Sequence, residues 1–391
     1  MRVQLGSEQL FDNPVFSGLL AGKRVGVVSN PASIDGSFAH IVDRVAARRD
    51  TRLAALFGPQ HGFRSDVQEN MIETDHARDE RRRLPVYSLY SETRQPTPEM
   101  LEGLDLLVID LQDVGTRIYT YIYTMANCLI AARRHGLPVI VCDRPNPIGG
   151  VAIEGPMLVP GFESFVGMYP IPMRHGMTIG ELAILFNAHF GIGAALTVVP
   201  MQGWQRPMYF DETGVPWVMP SPNLPTLDGA VVYPGTVLFE GTSVSEGRGT
   251  TRPFELVGAP RIDAEAFADR MNRLGLPGVY FRPAVFEPTF HKHAKQTCGG
   301  CQIHVRDRTT FEPVLAGAAL TAAFRAMDPD GFRWREPPYE YEHIKLPFDI
   351  LAGSTELREQ IEAGVPAADI RASWTAGAAA FAALREPYLL Y

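Results

Sequence analysis

A repeated pattern constrains the fold of this chain more than any other feature: short apolar, β-branched runs that each close in a cluster of polar residues. Residues 23–30 (Lys-Arg-Val-Gly-Val-Val-Ser-Asn), 53–57 (Leu-Ala-Ala-Leu-Phe), 85–90 (Pro-Val-Tyr-Ser-Leu-Tyr), 104–110 (Leu-Asp-Leu-Leu-Val-Ile-Asp) and 138–143 (Pro-Val-Ile-Val-Cys-Asp) read as strands. Helical stretches lie between them, around residues 40–49 and 123–135. Strands that alternate with helices form βαβ units, and continuous apolar runs without period-two alternation belong to a parallel sheet buried on both faces. The polar clusters are Ser29-Asn30, Gln60-His61, Asp110 to Asp113, and Asp143-Arg144-Pro145-Asn146. In an open α/β sheet the ligand crevice lies beyond the carboxyl ends of the strands, so these clusters converge on one edge. That edge is the expected site.

The character of the chain changes after residue 220. Residues 220–226 (Pro-Ser-Pro-Asn-Leu-Pro-Thr) carry neither helical nor strand period. At 391 residues the chain exceeds what one hydrophobic core usually supports, so two domains are expected. We place them at 1–225, a Rossmann-like parallel-sheet domain, and 226–391, a smaller α+β domain with helices near 264–274 and 314–326 and strands at 279–283 and 302–305. An Ala-rich closing helix is expected over 367–384.

Several functions are disfavoured at this level. A net charge of −8 lacks the basic face that nucleic acid requires. No run approaches the ~18 apolar residues of a membrane helix. Four cysteines do not make a disulfide framework, which points to a reducing, cytoplasmic setting. Ser29-Asn30-Pro31 follows the first strand in place of a glycine-rich dinucleotide loop, and neither a P-loop nor a Gly-x-Ser-x-Gly elbow is present. Cys298-Gly-Gly-Cys301 is a single Cys-x-x-Cys beside loosely spaced histidines, a weak metal signal, so no metal is expected.

The polar loops supply carboxylates suited to acid–base work. Asp110 and Asp113 follow an apolar strand with Arg117 four residues on, a setting in which a cation holds one acid ionised; a helix-capping aspartate is the structural alternative. His61 sits in a costly Gly-Pro-x-His-Gly turn. Residues 245–251 (Ser-Glu-Gly-Arg-Gly-Thr-Thr) combine Glu246, Arg248 and Thr250 with flexible glycines, and an Arg–Glu pair that orders the loop is the bland reading. Among the aromatics, Tyr119 lies nearest a strand-end loop.

Residues 57–63 (Phe-Gly-Pro-Gln-His-Gly-Phe), 84–90, 96–101, 109–117 (Ile-Asp-Leu-Gln-Asp-Val-Gly-Thr-Arg), 143–150 (Asp-Arg-Pro-Asn-Pro-Ile-Gly-Gly), 174–178, 240–242 and 245–251 occur in the order seen in the NamZ family of exo-β-N-acetylmuramidases, which this chain resembles. The resemblance implies a Rossmann-like domain and a smaller carboxy-terminal domain with the site in the cleft between them. It also implies cleavage of non-reducing-end N-acetylmuramic acid (MurNAc) from small peptidoglycan-derived saccharides in wall recycling, without metal or organic cofactor. Under it, Asp113 and Glu246 (or Glu69) form the carboxylate pair, with His61 as a further catalytic candidate. Asn30, Gln60, Asp110, Arg117, Tyr119, Asn146 and Thr250 contact the sugar, and Arg248 holds the lactyl carboxylate. Many members carry Glu where this chain has Gln60, and an amide does not deliver a proton at neutral pH. Either another carboxylate, such as Asp66, Glu69 or Glu73 on the same loop, replaces it, or the activity has changed. A binding protein for an anionic amino sugar and a hydrolase of another glycan are the rival readings.

Overall fold

A computed structural model describes residues 2–69 and 71–391. Twelve strands are formed: β1 Arg24–Ser29, β2 Arg52–Gly58, β3 Ala77–Asp79, β4 Leu84–Ser88, β5 Leu106–Asp110, β6 Val139–Cys142, β7 Glu154–Met157, β8 Pro172–Arg174, β9 Leu196–Val199, β10 Leu256–Ala259, β11 Val279–Phe286 and β12 Cys298–Val305. All five expected strands and the 123–135 helix (Tyr121–His135) are present. The main sheet has the order β3-β4-β2-β1-β5-β6-β9, and every neighbouring pair is parallel except β3 with β4. With β3 set aside, the parallel strands run third, second, first, fourth, fifth and sixth in chain order, the doubly wound Rossmann arrangement. β5 and β6 are buried along their whole length, as their unbroken apolar runs require.

Three further strands, in the order β10-β12-β11, form an antiparallel sheet backed by the helix Ala264–Arg273, against which the helix Pro313–Met327 packs. The α/β plus α+β expectation therefore holds. Helix Leu227–Thr236 crosses Pro313–Met327 at a pair of glycines: a Cβ on Gly235 would lie 1.8 Å from the Pro313 carbonyl oxygen. Only glycine permits so close an approach. This helix is buried from Gly229 to Thr236 and has no amphipathic period, so no residue pattern signals it.

The two sheets share one hydrophobic core, which runs from Val28 and Ile109 through Tyr121 and Tyr233 to Phe267 and Phe324. Arg117 ties the parts together. Its buried guanidinium donates to the carbonyls of Pro156 (2.7 Å), Ile171 (3.0 Å), Leu351 (2.9 Å) and Ala352 (2.8 Å). Burial lowers its pKa to about 10. The closing helix Ala367–Arg385 returns the chain to the first sheet, where Arg385 donates to the carbonyls of His175 and Gly176 and the Tyr391 hydroxyl donates to Asp143. No helix among the described residues is long and apolar enough to cross a membrane.

Candidate active site

The crevice beyond β1 and β5, where a Rossmann sheet usually takes its ligand, is filled by protein. Asp110 at the end of β5 pairs with Arg144, whose Nη2 also donates to the Ile34 carbonyl, and Ser33 Oγ donates to the Asp110 carbonyl. The open space lies one strand over. Beyond β2 the chain turns back on itself: a Cβ on Gly58 would lie 2.5 Å from the Phe63 nitrogen, and His61 adopts φ +70°. A left-handed histidine costs on the order of 1–2 kcal/mol, which the surrounding fold must offset. The turn places Gln60 and His61 on the wall of a cavity.

Opposite that turn stand two glutamates. Glu240 belongs to the short 3-10 turn Val237–Gly241, and Glu340 follows the Pro-Pro-Tyr run at 337–339. Both line the cavity. Glu240 is ion-paired to Arg248 Nη2 at 2.5 Å and accepts the Tyr339 hydroxyl at 2.7 Å. Glu340 has no cation of its own in bonding contact. It accepts the Tyr90 hydroxyl (2.9 Å) and the Gln60 amide (3.1 Å). Burial pushes its pKa up to about 7; the Tyr90 and Gln60 bonds oppose the rise, and the charge of Glu240 adds to it. One carboxyl that holds its proton near neutrality therefore shares a cavity with a second carboxyl paired to a guanidinium, and glycosidic hydrolysis uses two carboxyl groups.

Backbone strain marks the second of them. Glu340 (φ +45°) and Tyr341 (φ +69°) both lie in the left-handed region, and such residues cluster at functional sites. The acid–aromatic run Tyr-Glu-Tyr-Glu at 339–342 was the available signal, and sequence reasoning passed over it.

His61 supplies an acceptor. Burial lowers its pKa to about 4, so the ring is neutral near pH 7. Its Nδ1 lies 2.8 Å from the Val67 carbonyl, which can only accept, so the hydrogen sits on Nδ1 and Nε2 keeps its lone pair. Gln60 is fixed at both ends, since its carbonyl accepts Thr120 Oγ1 at 2.8 Å while its amide reaches Glu340.

Of the residues singled out from sequence, Gln60, His61, Tyr119 and Arg248 line this cavity. The others lie elsewhere. Glu246, expected as a catalytic carboxylate, is fully buried behind Arg248, where its Oε1 lies 3.1 Å from Arg248 Nε and its Oε2 2.6 Å from Lys292 Nζ. Burial alone would raise its pKa, but Lys292 and Arg248, with His291, bring it down to about 2. Asp113 is also buried; it accepts the Gly115 amide at 2.8 Å and faces His175 at 3.4 Å. It closes a turn rather than capping a helix, the alternative weighed in the sequence, since the next helix begins at Tyr121. Asp110 is held by Arg144 and Arg117 by four carbonyls, so neither side chain is placed to hold a sugar here. Asn30 donates to the Pro220 carbonyl and Asn146 to the Met177 carbonyl. Thr250 closes its own turn onto Gly247. Glu69 is half-buried on the loop after His61 and does not line the cavity; Glu73 on the same loop bonds Arg94 and Tyr341.

All four cysteines are unpaired and buried, and no group of three or more His, Cys, Asp or Glu among the described residues is arranged to hold a metal.

Comparison with known proteins gives a consistent result. The family models for exo-β-N-acetylmuramidase NamZ match residues 25–228 (its N-terminal part) and 231–391 (its C-terminal part). The chain is 48% identical over 390 residues to the peptidoglycan β-N-acetylmuramidase NamZ of Bacillus subtilis, covering 100% of this chain and 92% of that protein. Crystal structures of two DUF1343 family proteins from Bacteroides fragilis are similar throughout: one at TM-score 0.88 and 36% identity, the other at 0.76 and 27%, each covering 100% of this chain and 99% of its own. On the family models and this full-length identity, the chain belongs to the NamZ family of exo-β-N-acetylmuramidases.

Proposed function

We propose that this protein is an exo-acting glycosidase that releases MurNAc from the non-reducing end of peptidoglycan fragments, with Glu340 as general acid and Glu240 as the ionised partner. The observation that carries the reading is the pairing of a proton-retaining Glu340 with an Arg248-bound Glu240 on the wall of one cavity.

In this reading Glu340 protonates the glycosidic oxygen as the bond to the leaving sugar breaks. Glu240 meets the anomeric carbon or the attacking water and stabilises the positive charge that develops on the ring. His61 Nε2 accepts from a sugar hydroxyl. Gln60 keeps Glu340 in place and adds no charge, so the absence of an acid at position 60 leaves the cavity with two carboxyl groups. The lactyl carboxylate meets Arg248, the cation on the cavity wall, whose Nη1 has no hydrogen bond to the protein among the described residues. We place the domain boundary at 225/226 and the site in the cleft between the parts, supported by a cavity that draws Gln60 and Tyr119 from one side and Glu240 and Glu340 from the other. Action on wall fragments in a reducing, cytoplasmic setting is supported by the four unpaired cysteines.

The test is incubation of the purified protein with the disaccharide MurNAc–GlcNAc and identification of the products. Free MurNAc from the disaccharide, and none from GlcNAc–MurNAc with the order reversed, is the expected result. Tight binding of intact disaccharide without release would instead make the protein a binder of anionic amino sugars.

A further inference from the structure

From the cavity wall a chain of charges runs inward, and its inner members, Glu246 and Lys292, do not line the cavity. Lys292 uses all three ammonium hydrogens: Nζ donates to the Phe239 carbonyl (2.6 Å), the Val244 carbonyl (2.9 Å) and Glu246 Oε2 (2.6 Å). Phe239 immediately precedes Glu240, so the same ammonium anchors the backbone that carries the cavity's anion. Glu246 passes the interaction to Arg248 at 3.1 Å, and Arg248 reaches Glu240 at 2.5 Å. The four charges alternate and sum to zero. Lys292 lies between His291 (φ +67°) and His293 (φ +55°), two left-handed residues whose strain the fold maintains around it.

We propose that Lys292 is a positioning residue that acts through Glu246 and Arg248 to hold Glu240 in place. Without Lys292, Glu246 is an uncompensated buried anion that draws Arg248 away from Glu240. The other groups facing this chain do not replace it. His291 stands 3.3 Å from Glu246 but is kept neutral near pH 7 by burial. Tyr233, Tyr339 and Glu340 face Glu240 without positive charge, His61 is neutral, and Arg335 faces Lys292 from the far side.

The inference rests on the reading of Glu240 above, and the test separates the two. Wild type, Lys292→Met and the charge-balanced Lys292→Met/Glu246→Gln are compared for the pH dependence of kcat/KM on MurNAc–GlcNAc, with thermal unfolding as the check of folding. An inactive wild type sinks the assignment of activity before Lys292 is tested. With an active wild type, Lys292→Met is expected to move the acid limb upward by on the order of one pH unit, because Glu240 then binds its proton more readily. The double variant, in which Arg248 has only Glu240 to pair with, is expected to return that limb to the wild-type position or below. An unshifted acid limb in Lys292→Met, or an upward shift of equal size in the double variant, overturns the proposal. Should Lys292→Met alone fail to fold, the double variant decides by the same criterion.

Discussion

The side-chain amide of Gln60 donates to Glu340 across 3.1 Å, so an uncharged group faces the acid. Burial lets Glu340 hold a proton near pH 7 although this donated hydrogen favours the carboxylate. Replacing Gln60 by Glu puts a like charge at bonding distance, and two such groups share one proton. We expect Gln60→Glu to remain active and to move the alkaline limb of the kcat/KM profile upward by about one unit or more. Steady-state rates between pH 5 and 9 check this.

Glu340→Gln removes the proton donor; its oxygen still accepts the Gln60 amide, and its new amide nitrogen donates to the Tyr90 hydroxyl, which rotates to accept. General acid catalysis contributes about 10²–10⁴-fold, and kcat on MurNAc–GlcNAc should fall by that much with KM little changed. Glu246→Gln acts by a different route, since it loosens Arg248 without touching substrate. Its loss should be smaller than that of Glu240→Gln, and a larger loss would return Glu246 to the catalytic pair.

Buried acids make stability depend on pH. Burial raises the pKa of Glu154 to about 7, although the Leu315 amide donates to it. A carboxyl whose folded pKa exceeds its unfolded value binds more protons when folded, so stability falls as pH rises from about 4.5 to about 7. The ceiling for this single group is ~3 kcal/mol. Asp143, likewise raised to about 7 by burial, adds to the same slope. Glu246 has the opposite sign: its folded pKa of about 2 gives stability that is lost as pH falls below about 4.5. Denaturant melts at pH 5 and pH 8 should show wild type losing stability at the higher pH, and Glu154→Gln losing less.

Arg117 offers a test of its placement. Arg117→Ala leaves four buried carbonyls without their donor, a loss on the order of 3–5 kcal/mol with a corresponding fall in Tm. If Arg117 instead held the sugar, the variant would keep its Tm and lose substrate affinity.

The architecture was legible because parallel strands buried on both faces write themselves as unbroken apolar runs. β9 escaped notice because Leu196–Val199 is only four residues, three of them half-buried, between a Gly-rich loop and Pro200. At the site, local signals worked where the chain strains locally, as in the 58–62 turn that presents Gln60 and His61. They failed where function depends on long-range pairing. Asp113 and Glu246 have the composition of catalytic acids, yet their surroundings commit them to Gly115 and to Lys292 with Arg248. Glu340 is 280 residues from Gln60, and nothing near it in sequence announces that contact.

The pH profile of wild-type kcat/KM on MurNAc–GlcNAc, taken beside Glu340→Gln, tests the central claim most directly. A bell whose alkaline limb falls near 7 and vanishes in the variant is the predicted result. An alkaline limb that persists unchanged in Glu340→Gln, with turnover close to wild type, would contradict the assignment of Glu340 as the acid.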